Sequence, residues 1–317
     1  MPIDSNYTSL ETPHETQRVE AASDAAHVRD QVLAYYTAAA LDYRAWSGGF
    51  NMHFGYWRSG LNPLRRESML EELNTQALSR LRLAPGHSRL IDLGGGTGAT
   101  ARAAVLSYPE VRADVVTIVP KQIEIGTLLN QQAPRGDAIT MHCADYTATG
   151  LPEESYDAVC MIESACHAQG PTKRALLQEA YRLLKPGGRL VMVDAMLLRE
   201  VSSTGPLASL MSHIYRRWCI AWAVPELCRL DLLPGAMSSI GYEDVQFDNW
   251  SWNVAPSVAH VPLFASAFAV VEIVKAKGRL PLWRWRHIVA SLLTPLLGLR
   301  RCTFAYGAVT ATKPAAR

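Results

Sequence analysis

Residues 89–100 read Arg-Leu-Ile-Asp-Leu-Gly-Gly-Gly-Thr-Gly-Ala-Thr, a short apolar run followed by a cluster of glycines. The run at 90–93, interrupted only by Asp92, predicts a buried strand, and the glycines predict a tight turn into a helix that begins near Ala99. A glycine lets the backbone bend and a ligand come close, and the start of a helix offers free N–H groups. This pattern is typical of a nucleotide-binding turn, whose key positions are Gly94, Gly96 and Gly98.

The same spacing, Gly94-x-Gly96-x-x-Ala99, also satisfies the loose fingerprint of dinucleotide-binding proteins. Two features argue against NAD. Asp92 lies at the end of the strand, where its carboxylate suits an ammonium or a hydroxyl group better than a pyrophosphate. A ribose-binding acidic residue is expected about 20 positions further on, but the second predicted strand, 114–119, ends without one.

The composition is that of an ordinary globular protein, with 49% hydrophobic and 19% charged residues among 317. A net charge of +2 without a Lys/Arg-rich face argues against a nucleic-acid partner. The six cysteines show no metal-binding spacing, so we expect no metal and reduced thiols in a cytoplasmic protein. The apolar runs at 261–274 and 288–299 are each too short for a stable membrane span.

Strands and helices alternate from residue 89 onward, which predicts a parallel sheet covered by helices. Helical spacing at 27–46 and 63–83 precedes this region, and residues 205–240 also have a helical pattern. The predicted strands are 90–93, 114–119, 138–143, 156–162, 189–195, 242–247 and 303–312. Between the last two strands, an apolar stretch at 253–302 is too long for a simple loop. We therefore expect an α/β fold, a Rossmann-like, seven-stranded, mostly parallel sheet with an N-terminal helical flap and a C-terminal helical cap insertion.

Together these motifs resemble the class I methyltransferases that depend on S-adenosylmethionine (SAM), in particular the branch of tocopherol and sterol C-methyltransferases and related natural-product enzymes. The resemblance covers nearly all of the chain after residue 27. The segments that carry it are Tyr36 with 52–57, 92–98, 117–122, 151–157, 162–167, 224–226 and 250–256. The 117–122 segment departs from the family pattern because Val119 replaces a serine.

The resemblance implies SAM as the cofactor and gives roles to individual residues. Tyr36 belongs to the segment that folds over SAM, and Asp92 with the three glycines lies against its methionine and ribose. Thr117 and Gln122 reach the ribose region in place of the usual acidic residue, and Asp145 with Tyr146 holds the adenine. The implied cofactor-binding residues are thus Tyr36, Asp92, Gly94, Gly96, Gly98, Thr117, Gln122, Asp145 and Tyr146.

Methyl transfer requires alignment of donor and acceptor in a pocket poor in water, with a base only where the acceptor loses a proton. Glu163 and His167 follow the fourth strand, at the ligand-binding edge of the sheet, and are the candidate catalytic residues. A structural role, with Glu163 capping the turn and His167 held by local bonds, is the alternative. His53, Trp222 and Trp250 are the candidate acceptor-binding residues, although packing is an equally simple role for the tryptophans.

We therefore expect an enzyme that methylates a hydrophobic small molecule, such as a prenylated, terpenoid or aromatic secondary metabolite, with C-methylation favoured. N- or O-methylation of an alkaloid-like or phenolic product is the alternative. The expected organisation is a disordered tail at 1–27, a flap at 28–86, a SAM-binding core at 87–200, and at 201–317 the rest of the sheet with a substrate cap. Apolar helices at 205–224 and 261–274 are candidates for a homo-oligomer face.

Overall fold

The computed structural model describes residues 28–37, 42–83, 86, 88–201, 205–275, 277, 279 and 282–315. The tail expected at 1–27 lies outside these residues. The strands are β1 Arg89–Leu93, β2 Arg112–Thr117, β3 Ile139–Cys143, β4 Tyr156–Ile162, β5 Leu184–Leu197, β6 Cys228–Arg229, β7 Glu243–Asn249 and β8 Phe304–Thr312. The helices are α1 at 28–37, α2 Asp42–Trp46, α3 Arg66–Arg80, α4 Ala99–Ser107, α5 Pro120–Gln132, α6 Arg174–Leu183, α7 Pro206–Ala221, α8 Leu233–Ile240, α9 Ser251–Lys275 and α10 Leu282–Leu299.

The strands form one sheet in the order β3-β2-β1-β4-β5-β8-β7, and β6 pairs with the end of β5. Only β8 runs antiparallel to its neighbours, β5 and β7. The expected Rossmann-like, mostly parallel sheet is confirmed, with β6 as an additional strand of two residues. Strand β1 lies between β2 and β4, so the strand order reverses there, and open α/β sheets bind ligands at the carboxyl ends beside such a reversal.

Both faces of the sheet are buried, because side chains alternate along each strand. Ile91 and Leu93 pack with the helices α6 and α8 on one face, whereas Leu90 packs with α3 and α4 on the other. The turn after β1 requires its glycines, since Gly94 has a φ of +79° and Gly98, which precedes α4, has a φ of +81°. The predicted strand–turn–helix at 89–100 is present as expected.

The region after β5 differs from the expectation of continuous helix at 205–240. The helix α7 ends at Ala221, an irregular stretch leads to β6, and α8 follows. Ala223 has a φ of +52°, which no α-helix accommodates, and the turn there brings the Val224 N–H to the carbonyl of Cys219 at 2.9 Å. The expectation that 253–302 is not a loop is met by α9 and α10.

We expected the apolar runs at 261–274 and 288–299 to be too short for a membrane span, and for the first run the expected length is wrong. Helix α9 continues N-terminally to Ser251, and the window Ser251–Val274 has 24 residues and a mean hydropathy of 1.8. By length and composition it is the single helix among the described residues that reaches the size of a span, which is weak evidence by itself. Only 22% of this window is buried inside the protein.

Candidate active site

A cleft of about 200 Å³ lies at the carboxyl ends of β1, β2, β3 and β4. We call it the strand-edge cleft. It brings together most of the residues predicted from the sequence to bind the cofactor or to act in catalysis. Its predicted lining residues are Tyr36, His53, Asp92, Gly94, Thr117, Gln122, Asp145, Tyr146, Glu163 and His167.

Asp92 is the buried polar group at the base of the strand-edge cleft. Its side chain is 1% exposed, and its Oδ2 has no hydrogen-bond partner among the residues that the structure describes. Burial raises the pKa of Asp92 to about 7. A buried carboxylate oxygen without a partner is costly unless a ligand donates to it, so this position suits an ammonium or hydroxyl donor.

The glycines of the turn have different structural roles. A Cβ on Gly94, which lines the cleft, would overlap the side chain of Ser164, and one on Gly96 would overlap that of Met52. Neither Gly96 nor Gly98 lines the cleft as the structure describes it. Gly98 instead supplies the left-handed residue before α4. Close packing over the turn therefore explains Gly96, and backbone conformation explains Gly98.

The polar side chains at the ends of β2 and β3 form hydrogen bonds within the protein. The Thr117 hydroxyl donates to Gln122 Oε1 at 2.6 Å, which joins the end of β2 to the first turn of α5. Asp145 Oδ1 accepts bonds from the backbone N–H of Thr147 at 2.8 Å and from its hydroxyl at 2.7 Å. Tyr146 donates to the Ser164 carbonyl at 3.1 Å. The ribose-side and adenine-side residues expected from the sequence thus lie along one wall.

A second cavity, of about 190 Å³, lies between the N-terminal segment and the helices α7, α9 and α10. We call it the aromatic cavity, since ten Phe, Tyr or Trp side chains line it. They come from four regions of the chain, and α9 and α10 add the aliphatic residues Val261, Ala265 and Ile288. The aromatic residues are Tyr35, Tyr36, Tyr43, Trp46, Phe54, Trp218, Trp222, Phe264, Phe268 and Tyr306.

The structure separates the two tryptophans predicted to contact an acceptor. Trp222 lines the aromatic cavity. Trp250 is 2% exposed and lies in the core, where Arg80 stacks on its ring at 4.5 Å and Tyr56 meets it edge to face. The prediction for Trp250 does not agree with this placement, because the residue precedes α9 and turns inward onto the sheet rather than toward the described cavity.

The strand-edge cleft and the aromatic cavity meet at five side chains that line both. Three of them, His53, Glu163 and His167, are candidate site residues, and the sequence also singled out Tyr36. The fifth residue, Met52, was part of the recognised N-terminal motif without an assigned role. A ligand group that passes from one cavity to the other must pass between Tyr36, Met52, His53, Glu163 and His167.

Glu163 is the carboxylate at this junction. Its Oε1 accepts bonds from the backbone N–H of Phe54 and from the hydroxyl of Tyr306, both at 2.7 Å. Burial raises the pKa of Glu163 to about 8, against the lowering effect of these two donors. Its φ of +48° is unusual for a residue with a side chain, and strain of this kind concentrates at functional sites.

His167 is held from both sides. Its Nδ1 lies 3.0 Å from the Ala223 carbonyl and its Nε2 lies 2.9 Å from the hydroxyl of Tyr36. Burial lowers the pKa of His167 to about 4, so the ring is neutral near pH 7. A neutral ring that donates from Nδ1 to a carbonyl must accept at Nε2. Tyr36 is therefore the donor in the second bond.

His53 has a free ring nitrogen. Its Nδ1 lies 2.7 Å from the Phe54 carbonyl, so the neutral ring carries its proton there. Burial lowers the pKa of His53. Its Nε2 is a buried acceptor without a hydrogen-bond partner in the described part of the chain. The Asn74 side chain interacts with this ring and raises its pKa against the effect of burial, and His53 lines both cavities, so it stays a candidate contact for the acceptor.

Sequence reasoning missed Tyr306 and Asp194. Strand register places Tyr306: Ile162 pairs with Val193 on β5, and Ala195, two residues on, pairs with Tyr306 on β8. Asp194 lines the aromatic cavity, and burial raises its pKa to about 6 although the Cys166 and Ala195 N–H groups donate to it. A signal for Asp194 existed, because it lies on the predicted strand β5, which neighbours β4, whereas β8, which carries Tyr306, neighbours β5 and β7.

Comparisons with known proteins find a methyltransferase domain and several methyltransferases. The family model described as "Methyltransferase domain" matches residues 91–192. An O-methyltransferase of Pyrenophora dematioidea is 29% identical over 192 residues, which are 60% of this chain and 67% of that protein. A probable chloroplastic tocopherol O-methyltransferase of Oryza sativa subsp. japonica is 25% identical over 274 residues, 84% of this chain and 73% of that protein. The cyclopropane synthase MmaA2 of Mycobacterium tuberculosis shares the fold, with a TM-score of 0.75 at 16% identity over 90% of this chain and 98% of that one.

Proposed function

We propose that this chain, which is a class I SAM-dependent methyltransferase, transfers a methyl group to a hydrophobic small molecule held in the aromatic cavity. The acceptor class that fits best is a prenylated, terpenoid or aromatic secondary metabolite. The observation that carries the proposal is the junction, where the strand-edge cleft, with its polar side chains, shares five lining residues with an apolar, aromatic-walled cavity.

The residues of the strand-edge cleft fit SAM. The partnerless Oδ2 of Asp92 matches its ammonium or ribose hydroxyl groups, and Gly94 leaves room that a Cβ would fill. We assign the ribose side to Thr117 and Gln122 and the adenine side to Asp145 and Tyr146. When bound, SAM supplies the methyl group from its sulfonium centre for an in-line displacement. The task left to the chain is to align the acceptor and to exclude water.

The walls of the aromatic cavity hold and orient the acceptor. Trp222, Phe264 and Phe268 offer flat apolar surfaces, and their burial against a hydrophobic ligand is favourable. Aromatic faces also stabilise positive charge that develops on an acceptor carbon. Tyr36 and His167 form one side of the junction, and their hydrogen bond keeps the N-terminal segment against the sheet edge.

Glu163 is the group that we assign to proton removal. The Phe54 N–H and the Tyr306 hydroxyl fix its carboxylate at the junction, on the side of the aromatic cavity. C-methylation of an alkene or an aromatic ring leaves a proton to be lost, so a positioned base contributes directly to that reaction. A pKa of about 8 gives Glu163 substantial basicity once ionised. We favour C-methylation because the aromatic walls also suit the positive charge that develops on an acceptor carbon before this proton is lost.

O-methylation of a phenol or N-methylation of an amine is the second candidate. Two relatives, the Pyrenophora dematioidea and Oryza sativa proteins, are named as O-methyltransferases. In that case the His53 Nε2, a buried acceptor at the same junction, is positioned to receive the bond from a phenol hydroxyl. The two candidates differ in the residue whose loss abolishes turnover.

The test is methyl transfer from isotope-labelled SAM to a mixed panel of prenyl diphosphates, prenylated phenols, sterols and amines, with products separated by mass. We expect label in an apolar product. Label in polar amines only, or no transfer although SAM binds, would overturn the hydrophobic acceptor. Loss of turnover in Glu163→Gln but not in His53→Gln supports C-methylation, and the reverse pattern supports O-methylation.

We keep the predicted organisation as a proposal, with a flap at 28–86, a SAM-binding core at 87–200 and a substrate cap within 201–317. The six cysteines are all free thiols. This agrees with the proposed location in the cytoplasm, where thiols stay reduced.

A further inference from the structure

The outer faces of α9 and α10 are apolar and exposed. On α10 the exposed large side chains recur every three or four residues, which places them along one side of the helix. On α9, Leu263 and Val274 are 73% and 72% exposed, and the exposed positions between them carry only apolar or small side chains. Apart from Trp252, on whose ring Arg301 stacks at 3.9 Å, the exposed large residues are Leu263, Val270, Val271 and Val274 of α9 and Trp285, Val289, Leu292, Leu296 and Leu299 of α10. We call these nine residues the outer face.

The same two helices are also apolar on their inner sides. Phe264, Ala265 and Phe268 of α9 and Ile288 of α10 line the aromatic cavity. An ordinary surface helix has one apolar side and one polar side. When a helix pair is apolar on both sides and one of them is exposed, something apolar is expected to cover the exposed side.

The sequence of α9, α10 and the segment between them is basic. Residues 251–301 contain seven Lys or Arg and a single acidic residue, Glu272. Glu272 is paired with Arg284 at 2.7 Å and both are largely buried, with 18% and 19% of their side chains exposed. Lys277 and Arg279, between α9 and α10, are exposed. Apolar side chains bordered by basic ones are complementary to the surface of an anionic lipid bilayer.

We propose that the outer face docks on an anionic lipid bilayer, with α9 and α10 lying in its interfacial region. A second copy of this chain fits less well, because the one acidic residue of 251–301, Glu272, is already paired with Arg284 and so offers no partner to Lys277 and Arg279. Insertion of α9 across the bilayer would break its bonds to the N-terminal segment. Those bonds join Ser257 Oγ to the Gly55 N–H at 2.7 Å and Asn253 Nδ2 to the Trp57 carbonyl at 3.1 Å.

Docking in this orientation has a consequence for the acceptor, and this part rests on the proposed function. The helices that would contact lipid on one side enclose the aromatic cavity on the other. A hydrophobic acceptor dissolved in the bilayer would then pass between α9 and α10 into the aromatic cavity, and so reach the junction without crossing water.

The experiment is flotation of the purified full chain with vesicles of phosphatidylcholine alone and of phosphatidylcholine mixed with phosphatidylglycerol. We expect the protein to float with the anionic vesicles, less with the neutral ones, and less as salt is raised. Leu292→Glu/Leu296→Glu should weaken flotation by roughly tenfold or more, since the apolar residues at the centre of the contact are replaced by charges that the lipid repels. Lys277→Glu/Arg279→Glu should remove the preference for anionic vesicles.

The matched control is Leu106→Glu/Leu128→Glu, the same change at exposed leucines of α4 and α5, which should float like the wild type. Calorimetric SAM binding checks that each variant is folded. If Leu292→Glu/Leu296→Glu does not fold, Leu292→Ser/Leu296→Ser is used in its place. Wild type that stays unbound with both vesicles, or equal flotation of the Leu292→Glu/Leu296→Glu variant, overturns the proposal. A concentration-dependent dimer that this variant abolishes, without flotation, assigns the outer face to a second copy. Flotation requires no turnover, so its result stands apart from that of the methyl-transfer panel.

Discussion

The hydroxyl of Tyr36 donates a hydrogen bond of 2.9 Å to Nε2 of His167, across 131 positions of sequence. Tyr36 lies on α1, and His167 ends the short helical turn after β4. Because Nδ1 of His167 is bonded to the Ala223 carbonyl, the ring also ties this turn to the segment after α7. One imidazole thus joins three regions that border the aromatic cavity.

Removal of that hydroxyl should loosen α1. In Tyr36→Phe, the Nε2 of His167 becomes a buried acceptor without its donor, which costs about 1–3 kcal/mol. We expect faster amide hydrogen exchange over 28–37 and weaker SAM binding, measured by mass spectrometry and calorimetry. Tyr108→Phe, on the far side of the core, serves as the control. Unchanged exchange over 28–37 would show that other contacts hold α1.

Neutralisation of Glu163 should slow methyl transfer while SAM binding persists. Removal of a positioned general base typically costs roughly 10²–10⁴-fold in rate. We expect a loss of this size in kcat for Glu163→Gln, with SAM affinity changed little because the carboxylate bonds to Phe54 and Tyr306. The control is Glu71→Gln, the same substitution at an exposed position of α3, which should keep the wild-type kcat. Full activity in Glu163→Gln would leave Glu163 a structural residue.

The dependence of kcat/KM on pH should report the ionisation of Glu163. Burial raises the pKa of Glu163 to about 8, so kcat/KM should rise with pH and level off above that value. Tyr306 donates to the carboxylate and lowers its pKa, so Tyr306→Phe should move the midpoint to higher pH. A midpoint that does not move in Tyr306→Phe means that another group is titrating.

Stability should fall as pH rises from about 6.5 to 8. Burial raises the pKa of Asp92 to about 7 and that of Glu163 to about 8, so the native state binds protons that the unfolded chain has already lost. Stability from such groups is full below their unfolded pKa and is lost as pH passes the folded value. His53 and His167, whose pKa values are lowered in the native state, oppose this decline near pH 6.5, where the unfolded chain still protonates them in part, and have little effect above about pH 7.5.

Urea unfolding at a series of pH values measures this trend. Asp92→Asn and Glu163→Gln should each flatten the decline, because an amide does not ionise. Stability that rises with pH over the same interval would contradict the assignment of the two carboxyls.

Substitution of Gly94 should separate steric contact from backbone strain. Gly94→Ala places a Cβ against Ser164 at a φ of +79°, whereas Gly150→Ala meets an open space at a φ of +71°. Both variants carry the left-handed penalty of roughly 1–2 kcal/mol, but only Gly94→Ala should also lose SAM affinity, by about tenfold or more. Equal SAM affinity in the two variants would place the cofactor away from Gly94.

The strand ends were predictable because a buried apolar run followed by a polar or glycine residue marks the ligand edge of a parallel sheet. Asp92, Thr117, Asp145 and Glu163 all follow this rule, and all line the strand-edge cleft. Their predicted contacts with SAM stay predictions. The same local reasoning placed the strands within a few residues.

The pairing of distant residues was not predictable in this way. Tyr306 reaches Glu163 only through the register of β4, β5 and β8, which a single sequence does not reveal. Trp250 and Trp222 have similar aromatic surroundings in sequence, yet one faces the core and the other the aromatic cavity. The length of α9 was underestimated because Pro256 and Pro262, which lie inside it, usually interrupt helices.

The carboxylate of Glu163 has consequences for how the enzyme is made. Its two donors are Phe54, 109 positions upstream, and Tyr306, 143 positions downstream. A nascent chain therefore cannot complete this site until its final strand has left the ribosome and inserted between β5 and β7. A chain cut short before β8 would keep the glycine turn and much of the cofactor cleft, yet would lack one of the two groups that orient the base. A product of synthesis that ends before β8 therefore lacks a fully positioned base.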